Sequence, residues 1–141
     1  MADEKATELL KKLETGDQAS AEKFILAADD SKAMLFFYTS ALAGMDVCLT
    51  TAEDGQQAFN LLKSGERVDL LVTDLNMPNM DGIKLVKEIR NSLKLDIPIL
   101  MASTESEKSQ TELARQAGVS DFITKPFTKA QFIEKVSALF H

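Results

Sequence analysis

The chain reads as an α/β protein: a doubly wound sheet of five parallel strands with helices on both faces, preceded by an N-terminal helical extension. Two features predict it. Short apolar runs rich in β-branched residues alternate with longer segments of helical period, and each run stops at turn-forming or charged residues. Strands separated by whole helices cannot pair as hairpins, so they join through right-handed crossovers that leave helices covering both faces of a parallel sheet. The length, 141 residues, suits one domain with one core.

Residues 2–15 place Ala6, Leu9, Leu10 and Leu13 on one stripe of a polar helix that Gly16 ends, and residues 17–22 follow as a linker. This separates an extension, 1–22, from a domain, 23–141. Strand one is expected over 24–28, ending at Asp29-Asp30-Ser31, and a helix over 32–43 carries Met34, Phe37, Tyr38 and Ala41 on one face. Leu35, Phe36, Phe37 and Tyr38 are consecutive and span about 300° of arc at 100° per residue, so at least one large apolar side chain must leave the core-facing stripe. Strand two follows over 46–50, and helix two over 54–64 turns Ala58, Phe59, Leu61 and Leu62 inward.

Strand three ends at Asp74, because the next residues, Leu75-Asn76-Met77-Pro78-Asn79-Met80-Asp81-Gly82, are a loop: Pro78 lacks a ladder donor, and the Asn and Asp-Gly positions are turn formers. Helix three covers 83–92 and strand four 97–102. Helix four, 105–116, offers only Leu113 and Ala114 to the core and should be the least firmly held element. Strand five covers 122–124, and Thr128 caps a last helix with Phe132, Ile133, Val136, Leu139 and Phe140 on one face.

Charge and rare residues exclude several functions. The formal net charge is -6 without a basic cluster, which disfavours binding to nucleic acid or anionic membrane and points to protein partners. Cys48 is the only cysteine, so no disulfide can form within the chain, and no apolar stretch approaches a membrane span. The N-terminus carries Asp3, Glu4 and Glu8 where a secretion signal would be basic and then apolar, so a cytoplasmic location is expected. The single histidine is His141, which rules out a histidine-based triad, a zinc site and a well-held phosphohistidine.

The remaining polar signal falls at strand ends, where such sheets bind ligands. Asp29 and Asp30 follow strand one, Asp74 strand three, Ser103 and Thr104 strand four, and Lys125 strand five. Each has an ordinary explanation: Asp29, Asp30 and Ser31 as helix caps, Thr104 with Glu107 as a capping box, Lys125 as a solvated lysine. Capping does not explain three carboxylates and a lysine at one edge. In the strand order 2-1-3-4-5, strands one and three are neighbours at the switch point, and their carboxylates repel by about 1 kcal/mol per pair at 4 Å in water. Lys125 can neutralise one charge; a hard divalent cation such as Mg2+, with oxygen ligands and a phosphate partner, suits the rest.

With these residues in place, residues 24–140 resemble the receiver domain of two-component response regulators, and the stretch from Asp74 to Gly82 is most like the stand-alone chemotaxis regulators, themselves a standard example of this strand order. The resemblance implies a flavodoxin-like (βα)5 fold with Asp74 as phosphoacceptor. It also implies Mg2+ on Asp29, Asp30, Asp74 and the backbone carbonyl of Asn76, Ser103 and Lys125 on the phosphoryl group, and Phe122 as an aromatic that changes rotamer with Ser103. Asn76 and Glu105 are expected to flank the site. The implied partners are a histidine kinase or phosphotransfer protein and a downstream effector, such as a flagellar motor component, read through a surface of helix four, strand five and helix five. No enzyme activity is implied beyond self-catalysed phosphoryl transfer and hydrolysis. A relay intermediate or phosphate sink, and a scaffold that is never phosphorylated, are the other readings. Ser103 stands where threonine is commoner, Thr104 where a smaller residue is common, and Phe122 lacks a phenolic hydroxyl.

Overall fold

The protein is described from a computed structural model covering residues 22–140. The helix expected over 2–15, the linker before residue 22 and His141 lie outside the described residues. The elements run β1 (Lys23–Ala28), α1 (Lys32–Leu42), β2 (Val47–Ala52), α2 (Gly55–Lys63), β3 (Leu70–Asp74), α3 (Gly82–Asn91) and β4 (Ile99–Thr104). A 3-10 segment (Glu105–Gln110), α4 (Thr111–Ala117), β5 (Asp121–Lys125) and α5 (Lys129–Leu139) complete the order. The strands form one parallel sheet in the order β2-β1-β3-β4-β5, the flavodoxin-like arrangement expected.

Strand alternation splits the core into two layers. Leu26, Leu71 and Met101 pack with Leu85, Val86 and Ile89 of α3, whereas Ile25, Val72 and Leu100 pack with Tyr38 of α1 and Phe132 of α5. β3 lies inside the sheet and all five of its residues are buried, which makes it the firm rail that ends at Asp74. Hydroxyl and carboxylate caps start the helices close to the strands they follow. Ser31 accepts from the Met34 N–H at 3.2 Å, Asp54 from Gln57 at 2.8 Å, Asp81 from Lys84 at 2.8 Å and Thr128 from Gln131 at 3.1 Å.

Three expectations shift. β2 and β4 each sit later than the sequence pattern places them, and β4 extends to Thr104 because Ser103 and Thr104 pair with Thr124 and Lys125 of β5. Helix four is not one helix: Glu105–Gln110 is a 3-10 segment with no buried residue, because Glu-Ser-Glu-Lys-Ser-Gln has no apolar side chain to dock. Leu113, expected in the core, is 58% exposed, and Ala114 alone anchors α4. The crowded apolar run of α1 resolves as its arc requires, with Phe36 73% exposed.

The start of α3 is packed against the end of β3 without slack. A Cβ on Gly82 would lie 2.3 Å from the carbonyl oxygen of Asp74, and the Gly82 N–H donates to the Leu75 carbonyl at 2.7 Å. Gly82→Ala therefore destabilises the protein by about 2 kcal/mol, the cost of overpacking, read from the urea midpoint. An unchanged midpoint would show that the two backbones can part freely.

Candidate functional site

Asp29, Asp74 and Lys125 come together because parallel strands align their carboxyl ends at one edge and alternation turns these three side chains to the same face. The Lys125 ammonium donates to Asp29 Oδ2 at 3.2 Å and to Asp74 Oδ1 at 3.1 Å. β4 separates β3 from β5, so the lysine spans a strand end to reach Asp74. Its long stem makes that reach possible.

Asp29 is fully buried, Asp74 nearly so, and Asp30 exposed. One carboxylate oxygen from each lies within 4.8 Å of the other two. Asp29 Oδ1 accepts from the Ser31 N–H at 2.9 Å, and Asp74 Oδ1 accepts from the Leu75 N–H at 2.9 Å, so both carboxylates are oriented by backbone. Burial, and then the charge of Asp29, hold the Asp74 carboxyl above the usual carboxylate range against the pull of Lys125. Burial lowers the Lys125 pKa, but Asp29 and Asp74 together outweigh it and the lysine stays protonated. One ammonium against three carboxylates leaves the cluster negative. Hard oxygen donors at this spacing fit a small divalent cation.

The loop after Asp74 is tied down at several points. Asn79, at φ 69° in the left-handed region that asparagine tolerates, donates its side-chain amide to Asp54 Oδ2 at 2.7 Å. A Cβ on Gly55 would lie 2.1 Å from the Met80 carbonyl oxygen, so only glycine lets the start of α2 approach this loop. The Asn76 side chain donates to Glu107, whose other carboxylate oxygen accepts from the Thr104 N–H at 2.8 Å. Glu107 therefore bridges the two sides of the crevice. Glu105, expected to flank the site, is exposed and pairs with Lys108 at 3.6 Å.

Ser103 is buried, one residue beyond Ala102, the cross-strand partner of Asp74. Phe122 packs partly buried on the α3 side of the sheet, and the Arg115 guanidinium lies 5.1 Å from its ring centroid. Sequence reasoning missed three contributors: Glu107 as the bridge to Asn76, the Asp54–Asn79 tie, and Tyr38, whose hydroxyl feels the charges of Asp29 and Asp74. A signal existed for the first two, since Glu107 completes a capping pattern with Thr104 and Asp54-Gly55 marks a helix start. None existed for Tyr38, which reads as core.

A carboxyl that protonates more readily in the folded chain than in the unfolded one favours folding at low pH, and that contribution is lost as pH rises through its raised folded value. Asp74→Asn keeps the site neutral at that position, so it raises the melting temperature of the metal-free protein at neutral pH. The gain shrinks as the pH falls from neutral, because the parent's own carboxyl, held above the usual carboxylate range by burial, then protonates. Thermal unfolding of both proteins across that range checks it; a pH-independent difference would contradict the assignment.

A family model described as the response regulator receiver domain matches residues 25–137. The chemotaxis protein CheY homolog of Campylobacter jejuni is 42% identical over 115 residues, covering 79% of this chain and 88% of the relative. Chemotaxis protein CheY-3 of Vibrio cholerae is 41% identical over 118 residues, covering 82% and 90%. Among solved structures, the chemotaxis response regulator CheY4 of Vibrio cholerae superposes with a TM-score of 0.77 at 27% identity, covering 84% of this chain and 98% of that one. The Francisella response regulator 1452 receiver domain superposes with a TM-score of 0.76 at 29% identity, covering 84% and 96%. With the strand order, the acidic cluster and the bridging lysine already in view, these matches establish that the chain belongs to the response regulator receiver family.

Proposed function

We propose that the protein is a phosphorylation-activated response regulator of the chemotaxis type, switched by phosphorylation of Asp74. The observation that carries this is the Lys125 ammonium shared between Asp29 and Asp74 inside a carboxylate cluster. An ion pair made only for stability would not gather a third carboxylate beside it.

Asp29, Asp30, Asp74 and the carbonyl of Asn76 would hold Mg2+, which supplies charge neutralisation for an incoming phosphoryl group. The chain's own residues do the rest. Asp74 Oδ1 is held by Leu75 and Lys125, which leaves Oδ2 to attack the phosphorus of a donor phosphohistidine; an O–P bond forms as the N–P bond breaks and the imidazole leaves. Lys125 pairs with the new phosphoryl oxygens, and the Ser103 hydroxyl donates to one of them. Water attack on the same acyl phosphate resets the site.

The added charge acts on the least anchored neighbour. Ser103 moving toward the phosphoryl group leaves space for Phe122, and the 3-10 segment, with no buried residue, can follow. A cleft of about 830 Å³ between this segment, β5 and α5 includes Glu105, Asp121, Lys125 and Lys135 in its walls, so a change at Lys125 reaches the surface there. That surface is where we place the downstream protein, a flagellar motor component being the counterpart that the chemotaxis relatives suggest. The donor is a histidine kinase or phosphotransfer protein in the cytoplasm. Among the described residues no helix is long and apolar enough to cross a membrane.

Incubation with Mg2+ and acetyl phosphate should give one phosphoryl adduct by intact mass in the parent and none in Asp74→Asn, with backbone NMR shifts spreading from Asp74 to Phe122 and residues 105–110. No adduct from acetyl phosphate or from a kinase donor would reject the reading.

A further inference from the structure

Tyr38 carries the only buried side-chain polar atom among the described residues that has no hydrogen-bond partner. The residue is completely buried. A phenylalanine would fill the same space without enclosing a hydroxyl, so the hydroxyl calls for an explanation. Its position supplies one. α1 begins at the carboxyl edge of the sheet, and helical side chains lean back toward the helix N-terminus, so a tyrosine two turns into α1 aims its phenol at that edge. Phe132, Phe37 and Phe127 cage the ring with centroids at 5.1, 6.0 and 6.5 Å. Phe127 itself follows Lys125 and Pro126.

The strand residues in the same layer locate the hydroxyl further. Ala27, Val72 and Ala102 pack in the Tyr38 cluster, and each is followed two positions later, on the same face, by Asp29, Asp74 and Thr104. The phenol therefore stands beneath the floor of the acidic site. Burial first, and then the charges of Asp29 and Asp74, push its pKa far above the ordinary phenol range, so the proton stays available for donation.

We propose that Tyr38 is a positioning residue for the acidic site, its hydroxyl donating through one buried water to the carboxylates of Asp29 and Asp74 and holding them in the orientation that receives a cation. This rests on the reading of that cluster as a Mg2+ site. Supporting groups of this kind are worth about tenfold or more in metal affinity. Bulk around the cluster is unchanged when only the hydroxyl is removed, so packing alone would not produce such a loss.

The test compares the parent with Tyr38→Phe, each confirmed folded by NMR, in Mg2+ titrations followed by calorimetry. The chain has one tyrosine and no tryptophan, so tyrosine fluorescence of the parent reports Tyr38 alone. The expected result is a fluorescence change in the parent on adding Mg2+ and about tenfold weaker binding by the folded variant. Equal affinity in the two proteins overturns the role of Tyr38 and leaves the site reading intact. A parent that takes up no Mg2+ overturns both together.

Discussion

The site depends on one electrostatic constraint: carboxylates from two adjacent strand ends are buried side by side, and among the described residues only the Lys125 ammonium pairs with them. Their separation follows from sheet geometry, since neighbouring parallel strands run under 5 Å apart and their last residues share an edge. Repulsion at that distance in a partly dry site is larger than in water, so the arrangement needs positive charge. Lys125 meets part of the need and leaves the rest open to a cation. The protein thus carries a strained charge distribution where its proposed chemistry occurs, and the surrounding structure has to keep it in place.

That support is uneven. On the Asp74 side everything is tied: β3 is buried throughout, Gly82 lets α3 meet the Asp74 carbonyl, and the loop is held through Asn79 to Asp54 and through Asn76 to Glu107. On the other side of the crevice the 3-10 segment buries nothing and α4 buries only Ala114. The far end of α4 is fixed again, because the Arg90 guanidinium donates to the Gly118 carbonyl at 2.7 Å and to the Leu95 carbonyl at 2.8 Å. A segment loose at the crevice and anchored at its distant end is suited to swing when charge changes beside it, since local opening follows local packing. Arg115 over the Phe122 ring links that segment to β5.

Departures from the family pattern find a physical setting here. Phe122 has no phenolic hydroxyl, and the Arg115 guanidinium of α4 lies over its ring. Thr104 stands at the mouth of an apolar groove with Met34, Phe37, Lys125 and Phe127, directly beside the lysine.

The alternation of strands and helices and the set of acidic, hydroxyl and lysine residues at strand ends could be read from the chain, because they follow from local rules: apolar period, turn chemistry, and the termination of each strand at polar residues; the strand order came with the resemblance to receiver domains. Only the tertiary structure decided which groups meet. That Glu107 and not Glu105 crosses to Asn76 depends on a 3-10 geometry that a polar hexapeptide adopts when no apolar face directs it. That Leu113 is exposed depends on the same shift of phase, since moving the start of a short helix rotates every side chain on it. The buried hydroxyl of Tyr38 was equally hidden in the chain, where an aromatic on the inner face of α1 is indistinguishable from plain core; its relation to Asp29 and Asp74 exists only once α1 packs on the sheet face beside α5.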